Sequence, residues 1–465
     1  MKTRILLPLM MLAVAGVLIS GTIDLDDLFN YADQDFPDYI TRDNTLDNPI
    51  DDRTATLGRV LFYDTNLSSD GSVSCASCHL QEHAFGDTAI QSVGVNGLTI
   101  RHSMRLVNPR FSNNARFFWD ERASSLELQT TQPIEDHLEM GFSGTNGDPT
   151  IDDLIAHMET LEHYQILFDF AFGDSEITEE RMQLALAQFV RSIQSFDSRF
   201  DEGMAITNDV AQPFPNFTAQ ENLGKILFLD PPGPGGGAGC ASCHEPPEFA
   251  ADPLMLNNGV IGVAGMPGEI DIDVKRAPTL RDVVKPDGSL NGPLMHDGSF
   301  TSLLDVVNHY NAIPDNPLNT FLDPRLTDLQ GQPQQLNLTE DEKLAIVAFI
   351  RTLSGNDIYT NEKWSDPFDP DGSIEIIGST LGITPFDVLP EIAIAPNPVM
   401  NTAMVQTDLE GFELWIYDSA GRLIDHQVTG SSALEIDLGI QAAGLYFMEI
   451  QDRMGRSFSK KIIKQ

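Results

Sequence analysis

The spacing of hydrophobic residues divides the chain into a long helical part and a short strand-like part. Apolar positions recur with the period of an α-helix in two similar runs, Met182–Ile193 and Leu344–Leu353, and each follows a threonine suited to cap a helix. Near the C-terminus the period falls to two, as in Phe412–Tyr417, with turn residues between the segments. The pattern predicts a mainly α chain that ends in a small all-β, sandwich-like module.

All four cysteines belong to two copies of the motif C-x-x-C-H, which comprise Cys75, Cys78 and His79 and then Cys240, Cys243 and His244. In this motif both thiols add to the vinyl groups of haem, and the histidine becomes an axial ligand of the iron. A zinc site would need four ligands in one place, and a redox dithiol leaves both histidines unexplained. We therefore expect two covalently bound haem c groups.

The surroundings of the two motifs repeat as well. Leu57–Phe62 precedes the first copy much as Leu223–Phe228 precedes the second, and both halves close on the amphipathic runs described above. Internal similarity of this kind indicates duplicated structural units. We expect two tandem cytochrome c-like domains with one haem each, at residues 22–205 and 206–355.

The N-terminus has the features of a secretory signal. Lys2 and Arg4 precede the apolar run Ile5–Ile19, which is short for a membrane span and has no counterpart later in the sequence. We expect a signal peptide at residues 1–21, no stable membrane span, and passage through the periplasm, where haem c would be attached.

Charge narrows the range of partners. The chain has 69 acidic and 28 basic residues, which give a formal net charge of −41. Phosphate backbones and anionic lipid surfaces repel such a protein. The charge therefore argues against nucleic acid and anionic membranes as partners, whereas a basic electron donor fits.

The expected C-terminal module occupies residues 390–465 and follows a linker at 356–389 that is rich in Pro, Asp and Gly. It carries four ordered motifs, Ala395–Pro398, Asp418–Arg422, Ala443–Tyr446 and the basic end Lys460–Lys464. These motifs resemble the C-terminal sorting domain of type IX secretion substrates. The resemblance implies export by the type IX machinery to the cell surface or the medium; a carbohydrate-binding or adhesion module is the alternative.

Six short strings form an ordered set along the first two thirds of the chain: Phe118–Arg122, Leu126–Gln129, Pro133–Glu135, Glu139–Gly141, Ala277–Arg281 and Met295–Gly298. In this order they resemble the bacterial di-haem cytochrome c peroxidase and MauG family, and the resemblance covers residues 57–355. It implies an oxidoreductase in which one haem transfers electrons to another haem that reacts with peroxide.

By this resemblance three residues carry the chemistry. Glu139 is the acid and base above the first haem, Gln129 lies beside it, and Trp119 passes electrons between the haems. Splitting the peroxide O–O bond requires a group that accepts a proton from one oxygen and returns it to the other, which a buried carboxylate can do. A packed core position for Trp119 is compatible with its role.

Both axial positions differ from the peroxidase pattern. Val95 occupies the position of a histidine ligand, and because valine cannot bind iron we expect the first haem to be open to peroxide; His83 and His102 are the alternative ligands. Tyr310 occupies the position of the second haem's methionine ligand, as in MauG, and helical periodicity turns it inward while His309 points elsewhere. The alternative ligands of the second haem are methionines, namely Met295, Met255 and Met266.

The family resemblance also implies a calcium ion between the haems, held by an asparagine side chain and backbone carbonyls. Asn291 and Pro293 match the carbonyl positions, whereas His102 replaces the asparagine. A calcium site at Asn291 and Pro293 is therefore an expectation with an altered ligand set.

Together these features predict an exported di-haem peroxidase that reduces hydrogen peroxide with electrons from an external donor, a small cytochrome or a cupredoxin. One alternative is a MauG-like oxidase that acts on a protein or organic substrate. The other is an extracellular electron-transfer cytochrome without catalytic activity.

Overall fold

The chain folds into two units, Met1–Leu381 and Gly382–Gln465. The computed structural model describes residues 21–112, 116–233, 235–251, 255–378, 392–407, 409, 411–419, 421–452 and 457–465. Most of the expected signal peptide, residues 1–21, therefore lies outside the described residues. Among the described helices, none is long and apolar enough to cross a membrane.

Helices form the frame of the first unit. In chain order they are α1 Asp52–Tyr63, α2 Cys75–Cys78, α3 Leu126–Thr130, α4 Ile151–Met158, α5 Glu162–Phe172, α6 Glu179–Ser192, α7 Arg199–Thr207, α8 Ala219–Leu229, α9 Leu303–Asn311 and α10 Glu340–Ile350. The segments outside the helices contain short strands that pair two by two. They are β1 Thr22–Asp24, β2 His244–Glu245, β3 Ala250–Ala251, β4 Gly262–Val263, β5 Met266–Ile270 and β6 Glu375–Ile377. The capping box expected before α10 is present, with Thr339 N 2.8 Å from Glu342 Oε2.

The repeat in the sequence reappears as two closely packed helix pairs, α1 with α6 and α8 with α10. A Cβ atom at Gly58 of α1 would lie 2.0 Å from the carbonyl oxygen of Ala185, and one at Gly224 of α8 would lie 1.9 Å from that of Ala345. Only a residue without a side chain allows the two backbones to approach so closely. Both halves therefore use the same glycine contact.

A second repeated feature is a tight turn in each half. Phe118 and Met295 occupy equivalent positions with φ of 71° and 70°, in the left-handed region. Each turn is closed by an antiparallel bridge, Phe117 to Ala123 in one case and Leu294 to Phe300 in the other. The turns place the residues that follow, Trp119 and His296, side by side with ring centroids 6.2 Å apart.

The segment from residue 356 to 378 folds onto the first unit, which corrects the expectation of a linker at 356–389. Trp364 is 1% exposed and donates from Nε1 to Ser192 Oγ at 3.2 Å. β6 pairs in parallel with β1, and the buried Tyr31 donates to the carbonyl oxygen of Lys363 at 2.6 Å. Composition suggested a linker because Pro, Asp and Gly are frequent here, but a few large apolar side chains suffice to anchor the segment.

The second unit consists of two antiparallel sheets. Its strands are β7 Ala393–Ala395, β8 Thr402–Gln406, β9 Phe412–Asp418, β10 Leu423–Thr429, β11 Ala433–Asp437, β12 Gly444–Asp452 and β13 Ser457–Lys464. One sheet has the order β10-β9-β12-β13 and the other β11-β8-β7. Alternate residues of both sheets meet in one core, for example Val405 and Ile436 with Leu414 and Met448. The period-two pattern thus corresponds to strands with one buried face.

Candidate active site

The first C-x-x-C-H motif lines a cavity in the N-terminal half of the first unit. Cys75, Cys78 and His79 all border it, and none of the four cysteines forms a disulfide bond. His79 Nδ1 lies 2.9 Å from the Phe85 carbonyl oxygen, a contact that orients the ring and leaves Nε2 for a ligand. Burial lowers the pKa of His79, which favours the neutral imidazole that binds metals.

The second motif lines a second cavity in the same manner. Cys240, Cys243 and His244 border it, and His244 Nδ1 lies 3.3 Å from the Phe249 carbonyl oxygen. Burial lowers the pKa of His244 to about 4. In each cavity two thiols and one neutral, oriented imidazole are therefore available, a donor set that fits haem c.

Glu139 and Gln129 both line the first cavity. Gln129 belongs to α3, whereas Glu139 lies in the turn that follows it. Burial, and to a smaller extent the carboxylate of Asp136, raise the pKa of Glu139 to about 7, while the cation of Arg122 opposes the shift. Glu139 can therefore accept and release a proton near neutral pH.

The loop that carries Val95 holds the backbone around Glu139. Val95 N donates to the Glu139 carbonyl oxygen at 2.9 Å, and a Cβ atom at Gly94 would lie 2.0 Å from the Leu138 carbonyl oxygen. Gly94 borders the cavity, whereas the side chain of Val95 packs against the apolar core. The position expected for an iron ligand thus contributes a backbone contact that positions Glu139.

The two alternative histidines of the first haem differ in position. His83 does not line the first cavity, and its Nδ1 and Nε2 lie 2.8 Å from the Asn291 carbonyl oxygen and 3.4 Å from Lys285 Nζ. His102 borders both cavities, and its Nδ1 lies 2.9 Å from the Ala89 carbonyl oxygen, which leaves Nε2 available. His102 therefore stays an alternative ligand, whereas the position of His83 argues against that role.

Trp119 borders both cavities. Its Nε1 donates to the His102 carbonyl oxygen at 2.8 Å, and its own carbonyl oxygen accepts from Lys275 N and Arg276 N at 2.9 and 3.0 Å. The indole is therefore held by the first half and the backbone of the same residue by the second. Its position beside both cavities is compatible with packing, and its role in electron transfer stays a prediction.

Tyr310 of α9 borders the second cavity, and its hydroxyl accepts a hydrogen bond from Asn258 Nδ2 at 3.0 Å. The same Nδ2 lies 3.4 Å from Met295 Sδ, so one amide holds both candidate axial ligands. His309 lies 2.9 Å from the Asn258 carbonyl oxygen through Nε2. Of the other two methionines, Met255 borders the cavity and Met266 is an exposed residue of β5.

Comparison with known proteins identifies the family. The family model for the di-haem cytochrome c peroxidase matches residues 52–209. A methylamine utilization protein MauG from Methylorubrum extorquens is 30% identical over 315 residues, which are 66% of this chain and 79% of the relative. The chain belongs to the di-haem cytochrome c peroxidase and MauG family. A cytochrome-c peroxidase, IdrP1, from Denitromonas iodatirespirans is also 30% identical, over 66% of this chain and 83% of the relative.

A solved structure agrees with this assignment. A MauG-like protein associated with microbial copper homeostasis superposes with a TM-score of 0.56 and 27% identity, covering 73% of this chain and 99% of that protein. The model of a secretion system C-terminal sorting domain matches residues 393–465. This family member is thus an oxidoreductase with haem c cofactors, and its tail implies export to the cell surface or the extracellular space.

The calcium ion expected at Asn291 and Pro293 stays a prediction. The Asn291 carbonyl oxygen, an expected ligand, lies 2.8 Å from His83 Nδ1, and Pro293 borders the second cavity. Calcium prefers oxygen ligands, and the resemblance implies an amide where His102 presents an imidazole.

Sequence reasoning missed the contribution of Asn258. It lies 52 residues before Tyr310, and no motif in the sequence connects the two positions. It also missed Arg122, whose charge bears on Glu139 across the first cavity. Both contributions arise from loops that fold back on a cavity, and the residue types alone carry no signal for them.

Proposed function

We propose that this protein is an exported di-haem peroxidase that reduces hydrogen peroxide to two waters, with two electrons and two protons. The electrons would come from a small cytochrome or a cupredoxin outside the cell. The observation that carries the proposal is Glu139, an acid–base group with a pKa of about 7 that borders the first cavity beside Gln129. Haem attached through Cys75 and Cys78 would supply the redox centre for this reaction.

The roles of the protein residues follow from their positions. Glu139 accepts a proton from peroxide and returns it to the departing oxygen, and Gln129 orients the peroxide by hydrogen bonding. Val95 would leave the first haem without a histidine ligand from this position. Trp119 would conduct electrons between the haems, and Tyr310 would bind the iron of the second haem, with Met295 as the alternative.

The proposal includes the organisation of the chain. Two tandem cytochrome c-like domains, residues 22–205 and 206–355, would each hold one haem attached in the periplasm. The repeated glycine contacts at Gly58 and Gly224 support this division, although both halves belong to a single compact unit. A signal peptide at residues 1–21 would direct the chain into the periplasm, and the C-terminal module at residues 390–465 would direct it to the type IX machinery.

A second candidate function is the oxidation of a protein or organic substrate, as the relatives named MauG suggest. Two features favour it: Tyr310 borders the second cavity, and Val95 stands at the ligand position of the first. A phenolate ligand stabilises ferric and higher states better than a methionine does. A plain electron-transfer cytochrome would need neither Glu139 nor Gln129.

The experiment is to compare Glu139→Gln with Glu135→Gln, a control that changes an exposed glutamate four residues away. Both proteins are expected to contain two haems and to show unchanged ferric spectra. Glu139→Gln should lower the rate of peroxide consumption by roughly 100- to 10,000-fold, the usual contribution of general acid–base catalysis, and Glu135→Gln should not. Equal peroxide consumption by wild type and Glu139→Gln would reject the proposal and favour an electron carrier.

A further inference from the structure

Two arginines stand at the boundary between the cavities. Arg105 and Arg276 each border both of them. Arg105 donates from Nη2 to the Thr279 carbonyl oxygen at 3.0 Å, and its buried Nε has no hydrogen-bond partner. Arg276 donates to the Arg116 carbonyl oxygen and, at 3.1 Å, to Ser112 Oγ. Within the described part of the chain, neither guanidinium forms an ion pair with a carboxylate.

Two other arginines of the same unit do have acidic partners. Arg281, which is fully buried, lies 2.9 Å from Asp201, and the partly buried Arg101 lies 2.7 Å from both Asp120 and Asp271. Carboxylates thus neutralise Arg281 and Arg101, in contrast to Arg105 and Arg276.

An unpaired buried cation is costly unless an anion binds beside it. Burial lowers the pKa of Arg105, with Tyr359 and Asp282 partly opposing the shift, and it lowers that of Arg276 to about 10, with Glu121 partly opposing it. The expected cofactors carry anions: each haem c has two propionate groups. Arginine binds carboxylates through two parallel N–H groups, which suits it to this ligand.

We propose that Arg105 and Arg276 form a shared cationic site for haem propionates, and that Arg105 contacts propionates of both haems. The inference rests on the attachment of haem in both cavities. It assigns a cofactor-positioning role to two residues that do not ligate iron and that take no part in the proton transfer by Glu139.

A shared cation has an electrochemical consequence. Reduction removes one positive charge from each haem, so a nearby fixed cation favours the reduced state of both. Neutralising Arg105 should therefore move both midpoint potentials to more negative values. A residue that serves packing alone, or that faces only one haem, would not produce this paired shift.

The test uses the full-length di-haem protein with Arg105→Gln, and with Arg351→Gln as a control at an exposed arginine of the same unit. Haem content of the wild type is measured first, because a wild type without haem would count against the proposed function rather than against the role of Arg105. Redox titration followed by electron paramagnetic resonance then reports each haem, and resonance Raman reports the propionate bending bands.

With two haems present, Arg105→Gln is expected to lower both potentials and shift propionate bands of both haems, while Arg351→Gln changes neither. Unchanged potentials, or a shift confined to one haem, would overturn the proposal. If Arg105→Gln does not bind haem, the propionate bands of Arg105→Lys test the proposal instead. This variant keeps the charge but not the planar fork, so propionate bands of both haems should shift, and unchanged bands would overturn the inference.

Discussion

The two cavities of the first unit are alike around the histidine of each C-x-x-C-H motif. They differ in the other polar residues that line them. In both, a histidine after the second cysteine is oriented by the carbonyl oxygen of a phenylalanine, Phe85 or Phe249. Beyond that, the first cavity has Glu139 and Gln129, whereas the second has Tyr310 and Met295 held by Asn258. A duplicated scaffold thus presents two differently lined cavities through changes at a few helix and loop positions.

The largest expected effect comes from closing the first cavity. Val95→His would add an imidazole at the sequence position of the peroxidase ligand. Once the loop turns this ring from the apolar core into the cavity, the resting protein should lose nearly all of its reaction with peroxide. Its first ferric signal should become low-spin, and prior reduction should restore activity. Val95→Leu is the control, since it changes the size of the side chain without adding a ligand. A wild type that is already low-spin at both haems would contradict the expected difference between the cavities.

The pH dependence of the peroxide reaction should reveal Glu139. Because burial raises the pKa of Glu139 to about 7, its carboxylate form is lost as the pH falls through that value. If the carboxylate is the reactive form, the rate should fall about tenfold for each pH unit below this point and level off above it. Stopped-flow measurements of wild type and Glu135→Gln should show this profile, and Glu139→Gln should show a slow, flat one. A flat profile in wild type would show that the ionisation of Glu139 does not control the rate-limiting step.

At the second cavity, Tyr310→Phe distinguishes the two candidate ligands. If the phenolate binds iron, its loss should convert the second ferric signal from low-spin to high-spin or to a new ligand set, and the potential should change. Met295→Leu should leave that signal in place. The opposite result, a change with Met295→Leu alone, would assign the axial position to Met295. The second haem would then have a methionine ligand, as in the peroxidases, and not a tyrosine ligand, as in MauG.

The smallest expected effect is a loss of stability at the glycine contacts that both halves share. Gly58→Ala and Gly224→Ala each force a methyl group against a helix carbonyl oxygen about 2 Å away, so each should lower the free energy of unfolding by about 1–3 kcal/mol. The two losses should be similar because the contacts are alike. Calorimetry of the di-haem protein checks this, and a destabilisation limited to one variant would show that the repeated helix pairs differ in packing.

Local sequence was sufficient for features whose chemistry is local. The C-x-x-C-H motifs place both thiols and the histidine within five residues, so haem attachment could be predicted without the fold. The same holds for the strands of the second unit, because one buried face imposes a period of two. Composition predicted a linker around Trp364, but this one large buried side chain anchors the segment to the first unit.

By itself the sequence determined the two haem motifs, the repeat that surrounds them and the β-module at the end. Only the tertiary structure decided that Trp119 borders both cavities, that Asn258 holds Tyr310 and Met295, and that Arg105 lies between the cavities with no carboxylate in an ion pair with it among the described residues. The physical reason is distance along the chain. Covalent attachment and strand periodicity depend on neighbours in sequence, whereas burial and ion pairing depend on loops that meet only after folding.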